Sequence, residues 1–190
     1  MMNPYDECPV FEDENFRLRM VTAEDAQDLL KVYSDERAVP FFNSDNCDGD
    51  DFHYTTIERM KQAMGFWEFS YRERYFVRWA IVDKCSDETV GTIELFHRDA
   101  EDYFNGFGIL RLDLRSDYEK EQEIKEILSL ILPETAEMFR CKAVATKIFK
   151  EAGERTEALT ELGFSHTDEK LIGGHDGRAY GDYMILKFII

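Results

Sequence analysis

What this sequence has little of narrows its reading first. Its 190 residues contain no apolar run near the ~18 residues that a membrane span needs, and the N-terminus has no apolar stretch resembling a signal peptide. A soluble, cytoplasmic protein with no membrane partner is expected. Cysteine is sparse: Cys8, Cys47, Cys85 and Cys141 lie far apart and form no C-x-x-C pair. That spacing indicates neither a disulfide framework nor a zinc site, and four reduced thiols are expected. His53, His97, His166 and His175 show no paired spacing with other ligand types, so no metal is expected either. Basic residues are outnumbered, with 23 Lys plus Arg against 40 Asp plus Glu and a formal net charge of -17. Nucleic acid is therefore not an expected partner, because a phosphate backbone is bound by a basic surface. Repeats and low-complexity tracts are absent.

What is present is aromatic and centred on one stretch. The chain holds 15 Phe, 9 Tyr and 2 Trp, so rings are expected to supply much of the buried area. Its length suits one domain that buries about 70% of its unfolded surface. Residues 1–15, acidic and carrying Pro4 and Pro9, read as a loosely held leader, and residues 16–190 as the domain. The organising stretch runs from Phe107 to Leu132. Ile109, Leu110, Leu112 and Leu114 form a nearly continuous apolar run, which predicts a central strand covered on both faces. Ile124, Ile127, Leu128, Ile131 and Leu132 follow at helical spacing and make one stripe. A strand that feeds a helix points the helix's free N–H groups beyond the strand end, so Ser116 to Glu123 is a natural anion site.

The remaining elements fall on either side. Phe16 to Met20 alternates like a half-buried strand, and Thr22-Ala-Glu-Asp25 is a capping box that opens a helix carrying Ala26, Leu29, Leu30 and Tyr33 on one face. The stretch from Pro40 to Asp51 reads as a mobile loop. A second helix is expected from Thr55, capped with Glu58, to Tyr71, its stripe of Ile57, Met60, Met64 and Trp67 belonging to the core. Val77 to Asp83 and Thr89 to His97 read as a hairpin. Pro133 predicts a kink or restart in the long helix. A strand over Lys142 to Phe149, a helix over Gly153 to Leu162 closed by Gly163, and a hairpin of Thr167 to Ile172 with Tyr180 to Ile190 complete the chain. The order is α+β in style, with a sheet that is parallel at the strand–helix–strand crossover.

Several words of the sequence carry a resemblance. Leu18-Arg-Met-Val-Thr-Ala-Glu-Asp-Ala26, Val32-Tyr-Ser-Asp-Glu-Arg-Ala-Val39, Trp79-Ala-Ile-Val-Asp-Lys, Val90-Gly-Thr-Ile-Glu-Leu and Ala158-Leu-Thr-Glu-Leu-Gly-Phe164 resemble the GNAT acetyltransferases. The similar branch is the RimJ/RimL-like one, which acetylates protein N-termini and other amines. The resemblance covers the chain from Phe16 onward. It implies a mixed, mostly antiparallel sheet splayed between its central strands, with helices on both faces. It also implies transfer of acetyl from acetyl-CoA to a primary amine by direct attack, the amine itself being unreadable. On that resemblance the pantetheine arm would pair with the strand at Leu112, Asp113 and Leu114. The pyrophosphate would lie at Lys120, Gln122, Glu123 and Ile124. A homodimer is left open.

The chain departs from the family where the co-substrate would sit. The family loop is written Q/R-x-x-G-x-G/A, small residues allowing backbone N–H groups to approach phosphates. Here it is Glu119-Lys-Glu-Gln-Glu-Ile124, with Gln122 and Ile124 in the small positions. Four carboxylates against Lys120 give Asp117 to Glu123 a formal charge of -3. Ala152 stands where an asparagine often precedes the last helix, and Leu159 where many members place a tyrosine that protonates the leaving thiolate. An amine must lose a proton to attack, and Glu94 and Asp113 are the carboxylates on the relevant strands. Two functions remain: an N-acetyltransferase with a divergent loop, or a non-catalytic relative that keeps the fold for binding or regulation.

Overall fold

Apolar residues at every second position build the sheet, and the residues between them decide what covers its other face. The computed structural model describes residues 3–188. Its strands are β1 (Phe11–Glu12), β2 (Phe16–Met20), β3 (Val77–Asp83), β4 (Glu88–Arg98), β5 (Phe107–Leu114), β6 (Ala143–Lys147), β7 (Ser165–Thr167), β8 (Leu171–Ile172), β9 (Ala179–Tyr180) and β10 (Tyr183–Lys187). The helices are α1 (Ala26–Tyr33), α2 (Ile57–Arg72), α3 (Glu121–Met138) and α4 (Gly153–Glu161). Eight strands form one sheet in the order β1-β2-β3-β4-β5-β6-β10-β7, and β8 pairs with β9 alone. Among the described residues only β5 and β6 run parallel, joined by α3 as a strand–helix–strand crossover requires.

Val77, Trp79, Ile81, Ile93, Leu95, Leu110, Leu112 and Leu114 share a core with the α3 stripe of Ile124, Ile127, Leu128 and Ile131. Met60, Met64 and Trp67 of α2 pack with Leu29, Val32 and Tyr33 of α1 in a second core. Tyr33 and Trp67 meet the alternate strand residue Arg78, so α1 and α2 cover the face opposite α3. Gly91 permits close approach of β4 to β5. A Cβ there would stand 2.3 Å from the Asp113 carbonyl oxygen.

The sheet splays as the resemblance implies. The β5–β6 ladder runs from Phe107↔Ala143 to Leu110↔Thr146. After Leu110, β5 continues to Leu114 without a β6 partner, leaving a wedge between the strands.

Four expectations are corrected. The leader is docked, not loose: Trp79 Nε1 donates to the Pro9 carbonyl at 2.8 Å, and the Tyr71 hydroxyl donates to that of Pro4 at 3.0 Å. The α2 cap is Thr56 instead of Thr55, its hydroxyl accepting from the Arg59 N–H. No restart occurs at Pro133, which lies inside a continuous α3. Pro133 and Ser129 both face solvent, so the Ser129 carbonyl that loses its helical partner is open to water. The terminal hairpin divides because exposed Asp168, Glu169 and Lys170 interrupt one strand and Asp182, at φ 64°, breaks the other. Ile189 and Ile190, included in that expected strand, lie outside the described residues. Among the described residues no helix is long and apolar enough to cross a membrane, and the four cysteines are unpaired.

Leu128 is wholly buried at the centre of the α3 stripe. Leu128→Ala is expected to lower unfolding free energy by about 2–5 kcal/mol in a urea titration, the range for truncating a core leucine.

Candidate functional site

The free end of β5 has two sides, and charged side chains fill both. On the wedge side, Arg155 from the first turn of α4 reaches across to β5. Its Nη1 donates to the carbonyl oxygens of Leu112 at 2.9 Å and Phe41 at 3.0 Å. Its Nε and Nη2 donate to the two Glu119 oxygens, each at 2.6 Å, a fork-on-fork pair. Arg155 is 3% exposed and Glu119 8%, so the pair is buried.

The loop that leads into α3 is occupied in the same manner. The Ser116 N–H donates to Asp35 at 2.9 Å, and the Glu121 N–H donates to Glu154 at 2.8 Å. A carboxylate of the chain itself thus stands at the α3 N-terminus, where the free N–H groups attract anions. The two nearby lysines face carboxylates. Lys125 contacts Glu121 and Glu161, and Lys120 lies 4.0 Å from Glu154. The loop between α1 and α2 roofs the wedge instead of hanging free. Lys147 pairs with Asp45 at 2.6 Å, and Arg111 donates to the Asp45 carbonyl at 2.9 Å.

On the other side of β5, alternate residues of three strands form a buried polar row. Arg78 and Glu94 are cross-strand partners, as are Glu94 and Arg111, and Thr92 and Asp113. Glu94 accepts from Arg78 through one oxygen and from Arg111, at 2.8 Å, through the other. Asp113 Oδ2 accepts from the Tyr33 hydroxyl at 2.6 Å and from Arg78 at 3.2 Å. The Arg78 guanidinium also lies 4.2 Å from the centre of the Trp67 ring. Burial tends to raise the Glu94 carboxyl, but the charges of Arg78 and Arg111 outweigh it and hold the group below the ordinary carboxylate range. For Asp113 burial prevails over Arg78 and Tyr33, and the carboxyl is pushed up. Above this row, between α2 and the 46–54 loop, lies a pocket of about 700 Å³.

The residues singled out by sequence therefore separate. Leu112 and Leu114 lie on the wedge strand with their side chains in the α3 core, while Asp113 and Glu94 belong to the row on the opposite face. Lys120 is the α3 N-cap residue, Gln122 is exposed, Glu123 is half-buried and Ile124 is wholly buried in the core. Arg155, Glu154 and Asp35 escaped the sequence reading. A signal existed for Arg155: it shares the α4 stripe with Ala158, Leu159 and Leu162, and a charge on an apolar stripe calls for a buried partner.

Residues 15–165 match the family model described as an acetyltransferase (GNAT) domain, and the chain belongs to that family. No curated protein matches it in sequence. Solved structures resemble it in fold. A putative ribosomal-protein-serine acetyltransferase from Vibrio cholerae superimposes with a TM-score of 0.69 at 13% identity, covering 98% of this chain and 99% of its own. The ribosomal-protein-S5-alanine acetyltransferase from Vibrio fischeri gives 0.68 at 16% identity, over 93% and 94% of the two chains. Mycobacterium smegmatis RimJ in complex with CoA-disulfide gives 0.67 at 12% identity, over 90% and 81%.

The family's co-substrate is acetyl-CoA, and the residues here do not fit it. The Leu112 carbonyl and the Ser116 and Glu121 N–H groups are already taken, by Arg155, Asp35 and Glu154. Neither Gln122 nor Ile124 offers the close backbone approach of glycine.

Two measurements test the buried row. Glu94→Gln removes the only carboxylate shared by Arg78 and Arg111, and is expected to cost about 3–5 kcal/mol of stability, read from urea unfolding. Asp113 behaves oppositely. Its raised native pKa means that the folded chain keeps a proton which the unfolded chain releases from about pH 4 upward, so its contribution falls as pH rises through that window. Asp113→Asn is accordingly expected to gain stability relative to the parent between about pH 4 and neutrality, as urea midpoints across that range will show.

Proposed function

We propose that this chain is a non-catalytic member of the GNAT family, a binding module in which the acetyl-CoA groove is closed by its own side chains. The observation that carries the reading is Arg155, which bonds the Leu112 carbonyl and forks onto Glu119 inside the wedge. Clearing the wedge means parting a buried ion pair, and leaving either partner alone costs about 3–5 kcal/mol. That is a factor of about 150 to several thousand in any apparent affinity. The carboxylates point the same way. A general base works best with a pKa near the operating pH. Glu94 is instead pulled down by two arginines, with both of its oxygens engaged. Asp113 is wholly buried.

A second reading keeps the family's reaction, transfer of acetyl from acetyl-CoA to an amine, and has one observation in its favour. The wedge itself is retained, since β5 still leaves β6 after Leu110. On this reading Arg155 is a latch that opens before the co-substrate enters.

Calorimetric titration with acetyl-CoA separates the two. The intact chain is expected to give no saturable heat below about 1 mM, which corresponds to only about 4 kcal/mol of binding. Low-micromolar binding would overturn the closed groove. The paired change Glu119→Gln with Arg155→Ser empties the wedge without stranding a charge. Acetylation of amines by the intact chain would establish the latch, whereas binding gained only by that variant would support the closed groove.

A further inference from the structure

The pocket under α2 is unused by anything described so far. Three of its lining residues carry a buried polar atom with no hydrogen-bond partner among the described residues: the Ser70 hydroxyl and the Nε–H groups of Arg78 and Arg111. All three can donate. Ser70 and Arg78 are at least nine-tenths buried, at 0% and 3% exposure. Buried donors without acceptors are unfavourable, and because these three are nearly inaccessible, the partly exposed Arg111 is the floor residue a ligand meets first.

Charge narrows the choice. Two guanidinium groups face Glu94 alone on the pocket floor, while Asp113 lies outside the lining, against Arg78. Arg111 has no carboxylate to itself, because Glu94 is shared with Arg78, so the floor offers a ligand an incompletely matched cation. The lining carries two further carboxylates, Asp48 and Asp50, of which only Asp50 is paired, to Arg59. A second negative charge on the ligand would meet them unfavourably. The rest of the lining is largely aromatic: Phe52, Tyr54, Trp67, Phe76 and Phe96, with Phe66 and Tyr75 each 58% exposed. A volume of about 700 Å³ lies within the range of small-molecule sites.

We infer that this pocket binds a planar aromatic monocarboxylate, its ring among the aromatic walls and its carboxylate on the Arg78–Arg111 floor. Arg111 is the reachable anchor. It spends one Nη hydrogen on Glu94 and one on the Asp45 carbonyl, which leaves further donors, and it retains limited exposure at 13% of its side chain. The inference deepens the binding-module reading and rests on it for its functional meaning.

The test titrates the full chain calorimetrically with four naphthalene probes: the carboxylate, its amide, the methylammonium and the phosphate monoester. The carboxylate is expected to bind about tenfold or more tighter than the amide, with the ammonium and the dianionic phosphate weaker still. Arg111→Lys keeps the charge but loses the planar fork, and is expected to weaken the carboxylate while sparing the amide. Phe66→Ala, at an exposed position, is expected to weaken both probes, with circular dichroism confirming that each variant is folded. If Arg111→Lys does not fold, the probe series and Phe66→Ala still decide. Equal or tighter binding of the ammonium would overturn the inference, as would failure of every probe to bind folded protein. Acetyl-CoA, titrated into the same sample, reports on the wedge alone. Its binding would sink the closed-groove reading, whereas absent carboxylate binding would sink only the pocket assignment.

Discussion

Once β5 parts from β6, the backbone polar groups on its free edge must find partners, because buried N–H and C=O groups are rarely left alone. Everything around the wedge follows from that demand. A parallel pair that stayed zipped to Leu114 would need nothing more. The splayed pair needs a donor for the Leu112 carbonyl, and a family member can take it from a ligand. Here the donor is covalently part of the chain, Arg155. Its guanidinium cannot be buried alone, so Glu119 accompanies it. The acidic residue that looks misplaced in a phosphate loop is therefore the counter-ion of the arginine that bonds the Leu112 carbonyl.

The opposite face of β5 obeys the same rule by a different route. Arg78, Glu94 and Arg111 sit on three neighbouring strands and come into register as direct cross-strand partners. Desolvating three charges is unfavourable, and the row is tolerated because each guanidinium has a carboxylate and Glu94 has two. The same row forms the floor of the pocket, so the element that keeps the sheet face from being purely apolar also provides its one concentration of unpartnered donors.

Much of this was legible in the residues, and the limits have physical causes. The apolar runs in Val77–Asp83 and Phe107–Leu114, and period 3.6 from Ile124 to Leu132, carry sheet and helix because burial is what those patterns encode, while the splay was legible only through the family resemblance. Pro133 misled because the penalty of a helical proline depends on which face it occupies, and here the freed carbonyl faces water. The leader misled because its acidic, proline-bearing composition suggested looseness, whereas the rings of Tyr5 and Phe11 pack on the core and the backbone carbonyls of Pro4 and Pro9 accept hydrogen bonds, contacts that composition does not register. Glu94 and Asp113 were visible as carboxylates on strands, but their partners depend on strand register. Arg155 and Glu119 lie 36 positions apart, and no local period links them.

The fork between Arg155 and Glu119 also has a history written into it. A lineage that began from this chain and drifted one substitution at a time toward a glycine-rich loop would first have to lose either the arginine or the glutamate. Each single step strands a buried charge at about 3–5 kcal/mol, against the roughly 5–15 kcal/mol that holds an ordinary domain folded. The intermediates fall close to the threshold of folding, while the double replacement does not. On the closed-groove reading, entering or leaving this arrangement therefore goes through the paired change, since either partner alone is a stranded buried charge.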